Sequence, residues 1–354
     1  MTQTAKGLPM SLLINPYRGV GLPSLWQGDP VLPSVDAAAV AALLAQCPAA
    51  GATPLRAVMA LAKQAGVGEV FIKDESARMG LGSFKALGAA YVIARAAQVP
   101  GVDMGAQVYI AASAGNHGLS VAAGAKAFGA KAVIVLAESV PESFAQRLRD
   151  KGADVVRAGA IYEEGMAEAM RLAEVNGWTL LSDSSWPGYT DLPYRVMEGY
   201  LQMAAEAVEQ MGEAPTHVFL QAGVGGLAAA VAAYVRKAWG EGPRIVVVEP
   251  NAAPALIESI RAGALIATQG PVSTMGRLDC KEPSLIALAG LARDADVFLT
   301  ISDEAAAEAV ERLGTQGIAT TPSGAAGVAG MLSGLPELDL TTASRVLTIV
   351  SEAA

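Results

Sequence analysis

Lys85 sits in "GLGSFKALGAAY" (80–91), where Ser83, Phe84, Ala86, Leu87, Gly88, Ala89 and Ala90 carry no charge. A lysine in such a small, apolar run is expected to be largely withdrawn from water. Burial disfavours the ammonium and frees the amine to attack a carbonyl carbon. Three glycine-bearing segments accompany it: "SAGNHG" (113–118), "QAGVGG" (221–226) and "TPSGAAG" (321–327). Each reads as a turn after a strand, at the edge of a parallel sheet where ligands gather. Such a turn offers backbone N–H groups and the positive end of a helix to an anion. "AGVGG" is the phosphate candidate, although it has no P-loop lysine and no G-x-G-x-x-G order. Close helix packing would also account for its glycines.

Other chemistries find little support. Cys47 and Cys280 are far apart in the chain and lack metal-type spacing, and two histidines, His117 and His217, are too few for a histidine metal site. His117 is read as shaping its turn, and Glu249 in "VVVEP" as a structural acid at a strand end. An amine nucleophile together with a phosphate cradle fits pyridoxal 5'-phosphate (PLP), which carries one aldehyde and one phosphate.

The elements that must position these groups alternate. "EVFIKDES", "AQVYIAASAGNHG", "KAVIVLAE", "DVVRAG", "WTLLSD", "THVFLQAGVGG", "RIVVVEPN" and "RVLTIVSE" read as strands running into turns. Between them lie helical stretches such as "LSVAAGAKAFGA" and "YEEGMAEAMRLAEVNG". "ATPLRAVMALAKQAG" reads as one helix closed by glycine. Alternating βα units with Val and Ile runs predict parallel sheets covered on both faces. The expected fold is α/β with two lobes, each a mostly parallel sheet flanked by helices, and PLP in the cleft. The expected boundaries are 1–92 plus 191–354 for a large cofactor-binding domain and 93–190 for a small mobile one.

With 354 residues, 52% hydrophobic and 17% charged, the chain is long enough for two cores. A net charge of −9 argues against nucleic acid as a partner. No apolar run approaches a membrane span, and the residues around Lys6 lack the pattern of a signal peptide. A cytoplasmic protein is expected, with no regulatory domain after Ser351.

"KDES…GSFKALGAAY", "ASAGNHG", "QAGVGG" and "PSGAAG" occur in an order that resembles the tryptophan-synthase β-like (fold-type II) PLP enzymes, which include the serine and threonine dehydratases. "SDSSWPGY" (182–189), "PTHVFLQAGVGG" (215–226) and "CKEP" (280–283) make the chain most similar to diaminopropionate ammonia-lyases, from about Thr53 to Ser351. The resemblance implies a homodimer that eliminates the β-substituent of an L-amino acid, giving a 2-keto acid and ammonia. It makes Lys85 the Schiff-base lysine, with Phe84 beside the cofactor and Asn116 on the pyridine 3′-oxygen. The backbone N–H groups of Ala222, Gly223, Val224, Gly225 and Gly226 would hold the phosphate, and Ser351 would contact the pyridine nitrogen. A neutral hydroxyl there does not enforce a protonated ring, which suits elimination better than transamination. It also makes Asp183 the base that takes the α-proton. Trp186 and Tyr189 nearby are expected to form an apolar pocket that raises the Asp183 pKa toward general-base range.

Two positions depart from the resembling lyases. Those that accept both enantiomers carry a second aspartate where this chain has Ala114, so poor turnover of D-substrates is expected. The loop before "CKEP" holds Arg277 and Asp279 instead of small residues. They are expected to form an ion pair, or Arg277 to receive a distal anion of the substrate. Ser113, Ala114, Arg277, Asp279 and Thr321 are the candidate substrate contacts. A serine/threonine or 3-hydroxyaspartate dehydratase, or a β-replacement synthase, remains the alternative.

Overall fold

The computed structural model describes residues 9–22, 25 and 30–354; the stretch around Lys6 lies outside them. The strands described are β1 (Leu12–Ile14), β2 (Leu55–Ala57), β3 (Glu69–Asp74), β4 (Val108–Ala112), β5 (Lys131–Leu136), β6 (Asp154–Arg157), β7 (Thr179–Leu180), β8 (His217–Gln221), β9 (Arg244–Pro250), β10 (Val297–Ile301) and β11 (Arg345–Val350). The helices are α1 (Ala37–Leu44), α2 (Met59–Ala65), α3 (Lys85–Ala97), α4 (Asn116–Ala127), α5 (Glu142–Asp150), α6 (Tyr162–Asn176), α7 (Asp191–Gly199), α8 (Leu201–Met211), α9 (Gly226–Trp239), α10 (Ala255–Ala262), α11 (Leu285–Asp294), α12 (Asp303–Gly314) and α13 (Pro322–Leu332). Among the described residues no helix is long and apolar enough to cross a membrane.

The chain divides into two compact units. The first comprises Met1–Val35, Ala52–Ala77 and Met203–Ala354. Its sheet runs β1-β10-β9-β8-β11-β3-β2, parallel except for the antiparallel edge strands β1 and β2. The central strands are buried along nearly their whole length, as a sheet covered on both faces requires. Val70, Ile72, Phe219, Val246, Val248, Leu299 and Val328 belong to its core. α13 begins with Thr321, whose hydroxyl accepts from Gly324 N, followed by Pro322, which needs no N–H partner there. It lies so close to the sheet that a Cβ on Gly327 would come within 2.5 Å of Thr348 Oγ1.

The second unit comprises Asp36–Gly51 and Arg78–Gln202. Its sheet, β6-β5-β4-β7, is wholly parallel. Ile110, Ala112, Val133, Val135, Ala169 and Ala173 belong to its core.

The sequence expectation and the structure differ in three places. The second unit is larger than 93–190: α3 packs on α4 and α7, and α1 on α3 and α7, which draws residues 36–51, 78–92 and 191–202 into it. "ATPLRAVMALAKQAG" is not one helix. Leu55–Ala57 pairs antiparallel with β3 and only Met59–Ala65 is helical, because Pro54 disfavours helix around it and Gly66 closes α2 in the left-handed conformation. "TPSGAAG" is not a turn after a strand but the first two turns of α13, and its glycines serve packing.

Candidate active site

In the second unit, Lys85 opens α3, and Ser120 Oγ of α4 donates to Lys85 O at 2.8 Å, tying the two helices at that turn. Lys85 Nζ donates to Asp183 Oδ2 in a close ion pair, with each side chain about one-fifth exposed. The amine also stands over two aromatic rings, 5.2 Å from the centroid of Phe84 and 5.8 Å from that of Tyr200. These rings meet edge to face, with centroids 4.9 Å apart. Burial pushes the Tyr200 hydroxyl up to about 12.

The expected rise in the Asp183 pKa is not found. Burial does favour its protonated form, but the Lys85 ammonium, by its charge and by its hydrogen bond, outweighs it. Its carboxyl is held well below the usual carboxylate range. Trp186 and Tyr189 do lie close by in sequence, and they stack on each other with centroids 4.4 Å apart. The apolar neighbours were legible in the sequence; the cation 98 positions away was not.

"SAGNHG" leaves β4 and starts α4 at Asn116. Ser113 Oγ accepts from Gly118 N at 3.0 Å and from Gly115 N at 3.3 Å, so this hydroxyl builds the turn. Ala114 is exposed and Asn116 half-buried. His117 is buried, and burial lowers its pKa, so the imidazole is neutral near pH 7.

In the first unit, the turn 222–226 follows β8 and runs into α9. Gly225 has φ +98°, a conformation that favours glycine. A Cβ on Gly223 would stand 3.0 Å from Cys280 Sγ and 3.1 Å from both Arg277 O and Leu278 Cα. Only a glycine lets the backbone sit there, and α9 behind it presents its first N–H groups. This turn fits a phosphate. Ser351 follows β11, which neighbours β8 in parallel, so Ser351 and the turn share the carboxyl edge of the sheet. Ser351 is buried.

Arg277 and Asp279 are not paired as expected. Asp279 pairs with Lys281 at 2.6 Å, and Lys281 also donates to Ala252 O and Pro271 O, both at 2.9 Å. The carboxylate that Arg277 approaches is that of buried Glu352, at 3.9 Å. Glu352 also accepts from the Thr321 hydroxyl, and Ser323 Oγ accepts from Arg277 N at 3.1 Å. Thr321, Arg277, Glu352 and the glycine turn 222–226 thus form one contiguous edge of this unit. Sequence reading missed Glu352, which gave no signal beyond its place after Ser351. It also missed Tyr200, whose only signal was a tyrosine at the end of a helix. Glu249 behaves as expected. It is fully buried and accepts from Leu256 N at 2.7 Å and Ile257 N at 2.8 Å, holding the start of α10.

A lysine amine at a helix start with aromatic faces beside it, in the second unit, and a glycine turn suited to phosphate, in the first, are features expected of an α/β protein built for carbonyl–amine chemistry on a phosphorylated cofactor. Residues 47–352 match the family model described as "Pyridoxal-phosphate dependent enzyme". The chain is 34% identical over 282 residues to the diaminopropionate ammonia-lyase of Salmonella typhimurium, covering 72% of this chain and 70% of that one. It is 31% identical over 263 residues to the L-serine dehydratase/L-threonine deaminase of Homo sapiens, covering 73% and 75%. Its fold matches the crystal structure of Escherichia coli diaminopropionate ammonia-lyase in complex with an aminoacrylate–PLP azomethine reaction intermediate. The TM-score is 0.87 at 29% identity, covering 98% of this chain and 94% of that one. The chain belongs to the pyridoxal-phosphate dependent enzymes, within the family of the diaminopropionate ammonia-lyases.

Proposed function

We propose that the chain eliminates the β-substituent of L-2,3-diaminopropionate or a close β-substituted L-amino acid, yielding pyruvate or a related 2-keto acid and ammonia. The observation that carries this reading is the direct Lys85–Asp183 contact. PLP, when bound, acidifies the α-carbon of an amino acid by withdrawing electrons through its ring. Lys85 would hold its aldehyde with Phe84 beside it, and the backbone of Ala222–Gly226 would hold its phosphate. Asn116 would contact the ring oxygen and Ser351 the ring nitrogen.

Asp183 Oδ2 takes the α-proton. The Lys85 ammonium keeps it ionised in the cofactor-free chain, and once Lys85 Nζ is engaged by the aldehyde that charge no longer holds the carboxyl down, which raises its proton affinity toward what a base needs. A β-amino group departs as ammonia only once it carries a proton, and the Lys85–Asp183 pair holds one. Ser351 offers the ring nitrogen no negative charge, which favours elimination over transamination. Ser113, Ala114, Arg277, Asp279 and Thr321 remain the candidates for the substrate end. A homodimer of 36.0 kDa chains in the cytoplasm is the expected setting, and a monomer by sedimentation equilibrium would remove that part. Similarity to the serine dehydratases keeps L-serine as the second substrate to test.

Purified protein is expected to absorb at about 410–420 nm, as a lysine-bound pyridoxal does. Lys85→Ala is expected to lose that band and all turnover of L-diaminopropionate, measured as pyruvate and ammonia released. A protein that stays colourless with added PLP, or a Lys85→Ala variant that retains turnover, would overturn the reading.

A further inference from the structure

Asp183 does not lie on a strand. The ladder of β7 ends at Leu180, and Asp183 stands three residues beyond it in a bend. Past that point the strand ladder contributes one more bond, from Leu181 N to Ile110 O at 2.8 Å. Two side chains then hold the backbone in place of a strand partner. The Tyr189 hydroxyl donates to Leu180 O at 2.7 Å and accepts from Ser182 N at 3.1 Å, so one oxygen bridges two backbone groups. His117 Nε2 lies 2.7 Å from Leu181 O; since a carbonyl only accepts, that nitrogen carries the proton. His117 Nδ1 is then a buried acceptor, and no hydrogen-bond partner is seen for it among the described residues.

Tyr189 is itself fixed. Trp186 and Tyr189 form a two-residue antiparallel bridge, with Tyr189 N donating to Trp186 O at 2.9 Å and Trp186 N to Tyr189 O at 3.2 Å. Their rings stack at an interplanar angle of 20°. Burial pushes the phenol up to about 12, so its O–H stays available as a donor across the working pH range. The segment 180–189 is therefore a closed loop, and Tyr189 reaches back across it to hold the backbone next to Asp183.

We propose that Tyr189, with His117, is a positioning residue that fixes the Asp183 carboxylate against Lys85 and so sets the rate of α-proton removal. The proposal deepens the reading of Asp183 as the base and rests on it. Without the Tyr189 hydroxyl, Leu180 O and Ser182 N lose their common partner, while ring stacking and the backbone bridge remain. The loop then keeps its shape but not its precision. A misplacement of a fraction of an ångström at a base costs rate far more than binding.

Tyr189→Phe tests this, with Asp183→Asn as reference. Holo Tyr189→Phe is expected to show kcat lowered by roughly ten- to a hundredfold with KM little changed. Its kinetic isotope effect with α-deuterated substrate should rise, because proton removal becomes slower. A second readout needs no turnover: trinitrobenzenesulfonate labelling of Lys85 in the cofactor-free protein, mapped by peptide mass spectrometry. An ammonium that loses its carboxylate partner gives up its proton more readily and labels faster. Asp183→Asn should label fastest and Tyr189→Phe should fall between it and the parent. If Asp183→Asn turns over normally, the reading of Asp183 as the base fails, and the proposal with it. If Asp183→Asn is impaired but Tyr189→Phe matches the parent in kcat, isotope effect and labelling, the positioning role alone is overturned. A Tyr189→Phe variant with raised KM, unchanged kcat and parental labelling would make Tyr189 a structural residue only.

Discussion

At Asp183 two neighbours compete for one proton. The apolar surroundings would hold it on the carboxylate; the ammonium of Lys85 expels it, and the ammonium wins. A full charge in direct contact acts more strongly than partial burial, since about one-fifth of each side chain still reaches solvent. Ala114 carries the prediction at this scale. A methyl group accepts no proton, so L-diaminopropionate should turn over while the D enantiomer lags by at least about a hundredfold in kcat, the scale of a missing general base. Steady-state assays of the two enantiomers check this, and comparable rates would contradict it. Arg277 shows how a residue's partner escapes sequence reading. Asp279, two positions on, is taken by Lys281, and Glu352, 75 positions on, is the carboxylate beside Arg277.

At the scale of elements, the glycine turn proposed to hold the phosphate is made by what it packs against as much as by its own glycines. Gly223 has backbone of the 277–278 segment within 3.1 Å of where a Cβ would stand, and backbone cannot rotate away as a side chain can. Gly223→Ala should therefore displace the turn, weakening PLP binding by about tenfold or more, equivalent to about 1.4 kcal/mol. Absorbance titration of the cofactor-free variant measures this, and Lys85 remains to report on it. An unchanged dissociation constant would remove the phosphate role from this turn. Its strand–turn–helix pattern was legible because strand and helix differ in local composition. β2 was not legible, because three residues beside an apolar helix become a strand only when β3 pairs with them.

For the molecule as a whole, Glu249 links pH to stability. Burial raises its pKa from the ordinary 4.5 to about 8, against the two backbone N–H groups that pull it down. The folded chain thus holds a proton that the unfolded chain releases. The contribution is fully present below 4.5 and is lost as pH rises through about 8. The melting temperature should fall between mildly acidic and alkaline pH for this reason. Glu249→Gln should lower it at pH 6, since one of the two N–H groups then faces an amide NH2, and should flatten the decline between 4.5 and about 8. Thermal unfolding followed by circular dichroism across pH decides it; an equal slope in parent and variant would take Glu249 out of the account.

Local order in the chain was enough to show an α/β protein with alternating units, an amine at the head of a small-residue helix and a glycine turn suited to phosphate. Helix starts, glycine turns and buried parallel strands depend mainly on near neighbours, and near neighbours are what a sequence displays. Tertiary structure alone decided that Asp183 meets Lys85, that Glu352 stands beside Arg277, and that Tyr189 and His117 hold the backbone around Leu181. These are pairings fixed by how strands and helices stack, and a charge or a hydroxyl acts on whatever the fold brings within a few ångströms of it.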